Sequence, residues 1–430
     1  MKKLLSLVYA VAVLCSVGVA QQPPAKRIVV RASRVLDVAS GRLLSGQQVV
    51  VEGDRIVSVG PAGSLDAGAQ VIDLGDATLL PGLIDAHTHL TFRLNSVGYE
   101  GLGISGPREA LIGAYNAGIT LEAGFTTVRN LGASHYSDIA LRDAIDAGDV
   151  PGPRILASGP ALSITGGHCD NDLLPFEYHA TSEGAADGIE AVQHKTREII
   201  KYGADVIKVC ATGGVLSKGD DPNASQYTME EMKAIVADAH RLGRKVAAHA
   251  HGAQGVRWAA EAGVDSVEHG HLMDDDAIAA LKKSGTYLVP TLYLIDWHRE
   301  NAATRKLPDF AVKKMEMISM QAQNNVKKAI AAGVKIALGT DAAVYPHGLN
   351  AHELAVYVRL GMSPARAIQA ATVNAADLLG WADRVGTLEP GKFADIIAVD
   401  GDPTQDVTTL QHVKFVMKGG MVFKNEYQRP

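Results

Sequence analysis

The sequence predicts an α/β protein: a (β/α)8 TIM-like barrel with a small β-sandwich domain built from both chain ends. Three observations lead there. The stretch IVVRASRVLDVASGRLLSGQQVVVEGDRIVSVG alternates apolar and polar residues in short runs broken by Gly, Asp and Ser, which is the pattern of antiparallel hairpins. GTLEPGKFADIIAVDGDP and HVKFVMKGGMVFKNE, near the other end, share that texture. Between them, short apolar runs alternate with longer helical stretches, the mark of βα units and a parallel sheet.

Taken in order, residues 1–20 read as a signal peptide. Lys2 and Lys3 precede an apolar run from Leu4 to Val19 that finishes in small residues, and the polar QQPPAK follows Ala20. A secreted or periplasmic protein cut after Ala20 is therefore expected. Residues 21–80 form the first part of the small β domain, 81–380 the barrel, and 381–430 the second part. The barrel strands are expected to end near Ala86, Asn130, Ser158, Val209, His249, His269, Thr291 and Thr340. Helices between them carry their own signals. Thr228 with Glu231 fits a capping box, Ser363 before Pro364 fits an N-cap with proline in the first turn, and Gly380 supplies a stop. Strand-helix alternation of this kind also suits an open doubly wound sheet, but no Gly-x-Gly-x-x-Gly follows the first parallel strand.

Composition narrows the class of function. At 430 residues, 47% hydrophobic and 20% charged, the chain can bury a large core. A net charge of -6 without a Lys/Arg-rich stripe argues against nucleic acid as a partner. After Ala20 no segment is apolar for long enough to span a membrane. Cys169 and Cys210 then remain, too few for a disulfide framework but enough for a single bridge. No Gly-x-Ser-x-Gly elbow marks a serine hydrolase.

Side chains at the C-terminal ends of barrel strands converge on one face. In LLPGLIDAHTHL, His87 and His89 are spaced by two, which puts both imidazoles on one side of an extended strand. ADVIKVCATGG carries Lys208 in an apolar run, KVAAHAHG gives His249, DSVEHGH gives His269 and VKIALGTDA gives Asp341. A lone His-x-His is usually structural, and an Asp after Gly-Thr often only caps a helix. A strand lysine is harder to excuse, because an uncompensated buried ammonium is costly. The combination points to borderline divalent metals such as zinc. A neutral buried amine also reacts with carbon dioxide to give a carbamate, an oxygen ligand able to bridge two ions. In that scheme His87, His89 and Asp341 hold one ion and His249 and His269 the other. The Lys208 carbamate and a hydroxide are shared between them.

DAHTHL, IKVCATGG, HAHG, EHG, GTDA and the closing PGKFADIIAVDGDP together resemble the amidohydrolase superfamily over nearly the whole mature chain. Within it the sequence is most similar to binuclear metal-dependent dipeptidases and prolidase-like carboxypeptidases, a group that includes ochratoxin-type amidases. The resemblance implies hydrolysis of the amide bond of a dipeptide or N-acyl amino acid by a metal-bridging hydroxide. Asp341 would move the proton to the leaving amine. It also implies a small-molecule substrate with a free carboxylate and a homo-oligomer.

His168 in ITGGHCD matches a segment whose histidine reaches the substrate, although Cys169 stands where a glycine is expected. Tyr227 is a candidate for the scissile carbonyl or oxyanion, and a packed tyrosine before a helix is the plain alternative. His251, two residues beyond His249, is a candidate substrate contact at the pocket mouth. Arg129 offers itself for the substrate carboxylate. Asp85 reads as orienting a neighbour rather than binding metal. His271, His347 and His352 carry no assignment, and the glycines of ATGGVLS read as no more than a flexible loop. Two rivals stand beside this reading: ring opening or deamination of a heterocycle in the manner of imidazolonepropionase, and a catalytically inactive periplasmic metal-binding protein.

Overall fold

The structure is a computed structural model that describes residues 27–63, 68–94, 98–304 and 307–428. The expected signal peptide lies outside the described residues.

The first five strands pair antiparallel, as the hairpin texture predicts: β1 (Arg27–Arg31), β2 (Arg34–Asp37), β3 (Arg42–Ser45), β4 (Gln47–Glu52) and β5 (Arg55–Pro61); β6 (Gln70–Asp73) and β7 (Ala77–Pro81) then lie parallel to β1 and β2. The central strands are β8 (Leu83–Thr88), β9 (Phe125–Asn130), β10 (Arg154–Ala157), β11 (Val206–Cys210), β12 (Lys245–Gly252), β13 (Ser266–Leu272) and β14 (Tyr287–Val289). Near the end come β15 (Ile396–Asp400), β16 (Phe415–Lys418) and β17 (Met421–Asn425).

One six-stranded sheet runs β17-β16-β15-β7-β2-β3, so strands from both chain ends share it, while a second sheet runs β5-β4-β1-β6. One apolar cluster draws on both, with Val30, Val49, Val51 and Ile72 beside Ala77, Leu79, Ile396 and Phe415. Burying these alternating side chains is what holds the two ends of a 430-residue chain together.

The central strands form two parallel sheets, β10-β9-β8 and β11-β12-β13-β14. On one side the segment after β10 reaches β11 where Leu162 pairs with Val209, and on the other β14 reaches an eighth segment where Leu288 pairs with Ile336. The eighth segment, expected to end at Thr340, is not a regular strand. Its backbone nevertheless bonds both neighbours: Leu288 N donates to Lys335 O at 2.8 Å, and Ala86 N donates to Leu338 O at 2.8 Å. The expected barrel is therefore seen as two parallel sheets joined by irregular bonds rather than as one continuous closed sheet. Buried strands read as near-continuous apolar runs because both faces are covered, and Val206–Cys210 is buried throughout, Lys208 included.

The capping signals are satisfied. Glu231 N donates to Thr228 Oγ1 at 3.2 Å and Thr228 N to Glu231 Oε2 at 2.9 Å. Arg366 N donates to Ser363 Oγ at 3.3 Å, and Gly380 ends its helix in the left-handed region. Among the described residues no helix is long and apolar enough to cross a membrane.

Candidate active site

A cleft of about 620 Å³ opens at the C-terminal ends of the parallel strands, and His87, His89, Lys208, His249, His269 and Asp341 all line it. Residues from five chain segments thus meet in one space. His87 Nε2 lies 3.4 Å from His89 Nε2, and Asp341 Oδ1 lies 3.4 Å from the first and 3.1 Å from the second. Two donor groups emerge, His87 with His89 and Asp341, and His249 with His251 and His269. The second group differs from expectation, because His251 was assigned to substrate and here also stands within reach of a shared ion.

Two of these residues sit where the backbone is strained. His269 has φ 74° and Asp341 φ 61°, left-handed values that side-chain-bearing residues rarely adopt. Both side chains line the cleft, and such strain clusters at functional positions.

The electrostatics suit metal ligation, which requires neutral imidazoles. Burial pushes His87 down to about 4, with Lys208 adding to the effect while Asp341 and Glu268 oppose it. Burial likewise pushes His249, His251 and His269 well below the usual histidine range. Burial would raise Asp341, but the His87 and His89 imidazoles outweigh it and hold the carboxyl at about 2. Burial also brings the Lys208 ammonium down to about 8; Glu268 and Asp341 pull it back up, and Arg129 adds to the depression.

Nitrogen and oxygen donors crowd together, and three of the imidazoles have one ring nitrogen already hydrogen-bonded. His87 Nδ1 meets Glu268 Oε2 at 2.9 Å, His249 Nε2 donates to Gly213 O at 3.2 Å, and His269 Nδ1 meets Thr291 Oγ1 at 2.7 Å. Such outer contacts fix which nitrogen keeps its lone pair, and this donor set fits divalent metal ions.

Glu268 was missed in the sequence. The EHG motif displays it one residue before His269, but its charged and imidazole partners, Arg129 at 2.9 Å and His87 at 2.9 Å, are remote in sequence; only Ser266 Oγ, at 2.5 Å on the same Oε1 as Arg129, is local. Arg129 in turn donates to Ala86 O at 2.7 Å and is only 1% exposed. It is committed behind the site, not offered to a substrate carboxylate as expected. Asp85 plays the orienting part read from the sequence. It accepts from His87 N at 3.1 Å, Thr340 Oγ1 at 2.6 Å and Asn350 Nδ2 at 2.8 Å, tying the two metal-ligand segments together.

His168 and His251 both line the cleft. Tyr227 does not. It is buried in the core ahead of the helix Met229–Arg241, and its hydroxyl donates to Ala186 O at 3.1 Å, so the expected contact with the substrate carbonyl is corrected to a packing role. Cys169 and Cys210 are paired as a disulfide, Cα atoms 6.2 Å apart, which ties the His168 loop to the Lys208 strand.

A strand-borne cluster of candidate metal ligands at the mouth of parallel βα units is the arrangement of a metal-dependent hydrolase, and the chain belongs to the amidohydrolase family, which matches residues 78–422. It is 37% identical over 372 residues to the ochratoxinase of Aspergillus niger, covering 80% of this chain and 75% of that protein. Among solved structures it is similar to a Xaa-Pro dipeptidase with bound methionine, at TM-score 0.87 and 36% identity over 93% of this chain and all of the other. It is also similar to a prolidase complexed with N-methylphosphonate-L-proline, at TM-score 0.85 and 31% identity over 93% and 100% of the two chains.

Proposed function

We propose that this protein is a binuclear metal-dependent amidohydrolase that cleaves the amide bond of a dipeptide or N-acyl amino acid. Carrying this reading is the meeting of two donor groups and Lys208 in one cleft. A single-metal deaminase or ring-opening enzyme needs neither the second group nor the lysine. Bound divalent ions, zinc being our first choice, supply an activated water and polarise the scissile carbonyl.

His87, His89 and Asp341 would hold one ion, and His249 and His269 the other. Lys208 Nζ, brought towards neutrality by burial, would add to carbon dioxide and lose a proton, and the resulting carbamate would offer oxygen donors to the metal site. Asp341 is ionised at neutral pH and takes the proton of the attacking water, then delivers it to the departing nitrogen. His168 and His251 orient the substrate. The architecture we infer is the closed eight-stranded barrel with a two-sheet sandwich of residues 21–80 and 381–430, in a periplasmic or secreted homo-oligomer.

The test is a screen of dipeptides and N-acyl amino acids with zinc-reconstituted protein beside its Lys208→Ala variant. Turnover abolished by chelation and restored by metal is expected, and the variant should lose at least one metal equivalent. Bicarbonate should aid reconstitution of the wild type only. Absence of any amide hydrolysis by fully metallated protein would overturn the reading.

A further inference from the structure

The turn that follows β14 seats two histidines of β13. His269 Nδ1 lies 2.7 Å from Thr291 Oγ1, and His271 Nε2 donates to Pro290 O at 2.7 Å. With Nδ1 engaged by the hydroxyl, Nε2 is the His269 nitrogen left for an ion shared with His249 and His251. Thr291 has φ 48°, a left-handed value that a β-branched residue keeps only where its surroundings enforce it. Something outside the turn must therefore hold the hydroxyl against His269.

Glu353 does so. The helix Tyr293–Glu300 starts directly after the turn, and its N-cap, Leu292, makes no side-chain cap of its own. The first amides of a helix have no partner within it. Here the Glu353 carboxyl, from the first turn of the helix His352–Arg359, accepts from Leu292 N through both oxygens, at 2.8 and 2.9 Å, and from Tyr293 N at 2.6 Å. Thr291 and Glu353 are both fully buried, so without the carboxyl two amides would be left unpaired away from solvent and the turn would have to shift. The same segment reaches the other donor group. Asn350 Nδ2 donates to Asp85 Oδ2 at 2.8 Å, and Asp85 accepts from His87 N at 3.1 Å. One end of the segment Asn350–Glu353 thus fixes the strand of His87, and the other fixes the turn behind His269.

We propose that Glu353 is a positioning residue that acts through Thr291 on His269, so that the segment Asn350–Glu353 sets the spacing between the two ion sites. This rests on the two-metal reading above and deepens it. Loosening the Glu353 end releases one site and leaves the other, tied through Asp85, in place.

Metal-free wild type, Thr291→Val, Thr291→Ser, Glu353→Ala and Glu353→Gln are titrated with cobalt(II), followed by calorimetry and by the visible spectrum. The wild type should take up two equivalents. Thr291→Val keeps the side-chain shape and removes the hydroxyl; it should weaken one ion by about 10- to 100-fold and leave the other unchanged. Thr291→Ser should restore the lost affinity. Glu353→Ala should show the same one-site loss with the same change in the cobalt bands, whereas Glu353→Gln, which still offers an oxygen to both amides, should bind like the wild type. Should Glu353→Ala not fold, Glu353→Asp, one methylene shorter, takes its place with the same expectation. Wild-type affinity for both ions in Thr291→Val or in the shortened Glu353 variant, or an equal loss at both sites, overturns the proposal. A wild type that takes up a single ion ends the two-metal reading, while the loss or retention of that ion in Thr291→Val still decides whether the turn orients a ligand.

Discussion

His87 and Glu268, 181 residues apart, meet through Nδ1 and Oε2 at 2.9 Å, with both side chains almost fully buried. Burial alone would raise the glutamate, yet the Arg129 guanidinium and the His87 hydrogen bond hold it at about 2. The carboxylate therefore stays charged, keeps the imidazole proton on Nδ1 and turns the Nε2 lone pair towards His89 and Asp341.

Glu268→Gln keeps the shape and removes that charge. Metal affinity should fall by about 10- to 100-fold, and leaving Arg129 buried without its counter-charge should cost about 3–5 kcal/mol of stability. Metal titration and chemical unfolding check the two effects separately. Wild-type affinity in the variant would remove the orienting role.

Gly339 lets two strands approach closely in front of the ligands. A Cβ there would lie 2.3 Å from Val289 Cγ1 and 2.8 Å from His87 Cβ, distances no real Cβ tolerates. Gly339→Ala should displace His87 and lower both bound metal and activity by more than 10-fold, an order-of-magnitude expectation from the sensitivity of such sites to shifts of about 1 Å. Elemental analysis of the purified variant decides it.

The Cys169–Cys210 bridge closes a loop over a sequence separation of 41 and spans the stretch between His168 and the metal-binding strand. Loop-closure entropy assigns such a bridge on the order of 4 kcal/mol. Dithiothreitol, or Cys169→Ser, should lower the melting temperature by several degrees, roughly what a few kcal/mol implies for a chain of this size, and raise KM more than it lowers kcat. An identical melting curve with and without reductant would contradict this.

Glu353 gives a pH dependence with a defined sign. Burial pushes its carboxyl up to about 8, although backbone donation from Leu292 and Tyr293 and the Tyr357 hydroxyl oppose the rise and Asp85 adds to it. The folded protein therefore holds a proton that the unfolded chain releases above its ordinary value near 4.5. Stability from this group is full below that value and is lost as pH rises towards 8. Glu353→Gln, neutral at every pH, should flatten that slope between about pH 5 and 8 in unfolding titrations.

The sequence by itself determined the α/β class, the approximate places of seven central strands and the six candidate metal ligands, because each rests on a local period. Two-residue spacing puts His87 and His89 on one side, apolar runs mark the buried strands, and Thr228, Ser363 and Gly380 punctuate helices through groups a few residues away. Tertiary structure alone decided what those side chains meet. Arg129 turned behind the site to Glu268, Tyr227 turned into the core towards Ala186, His251 joined a donor group and Gly214 came to lie against the His168 ring. These outcomes depend on partners as much as 139 residues distant, and which neighbour satisfies a buried polar atom is settled only when the strands have packed.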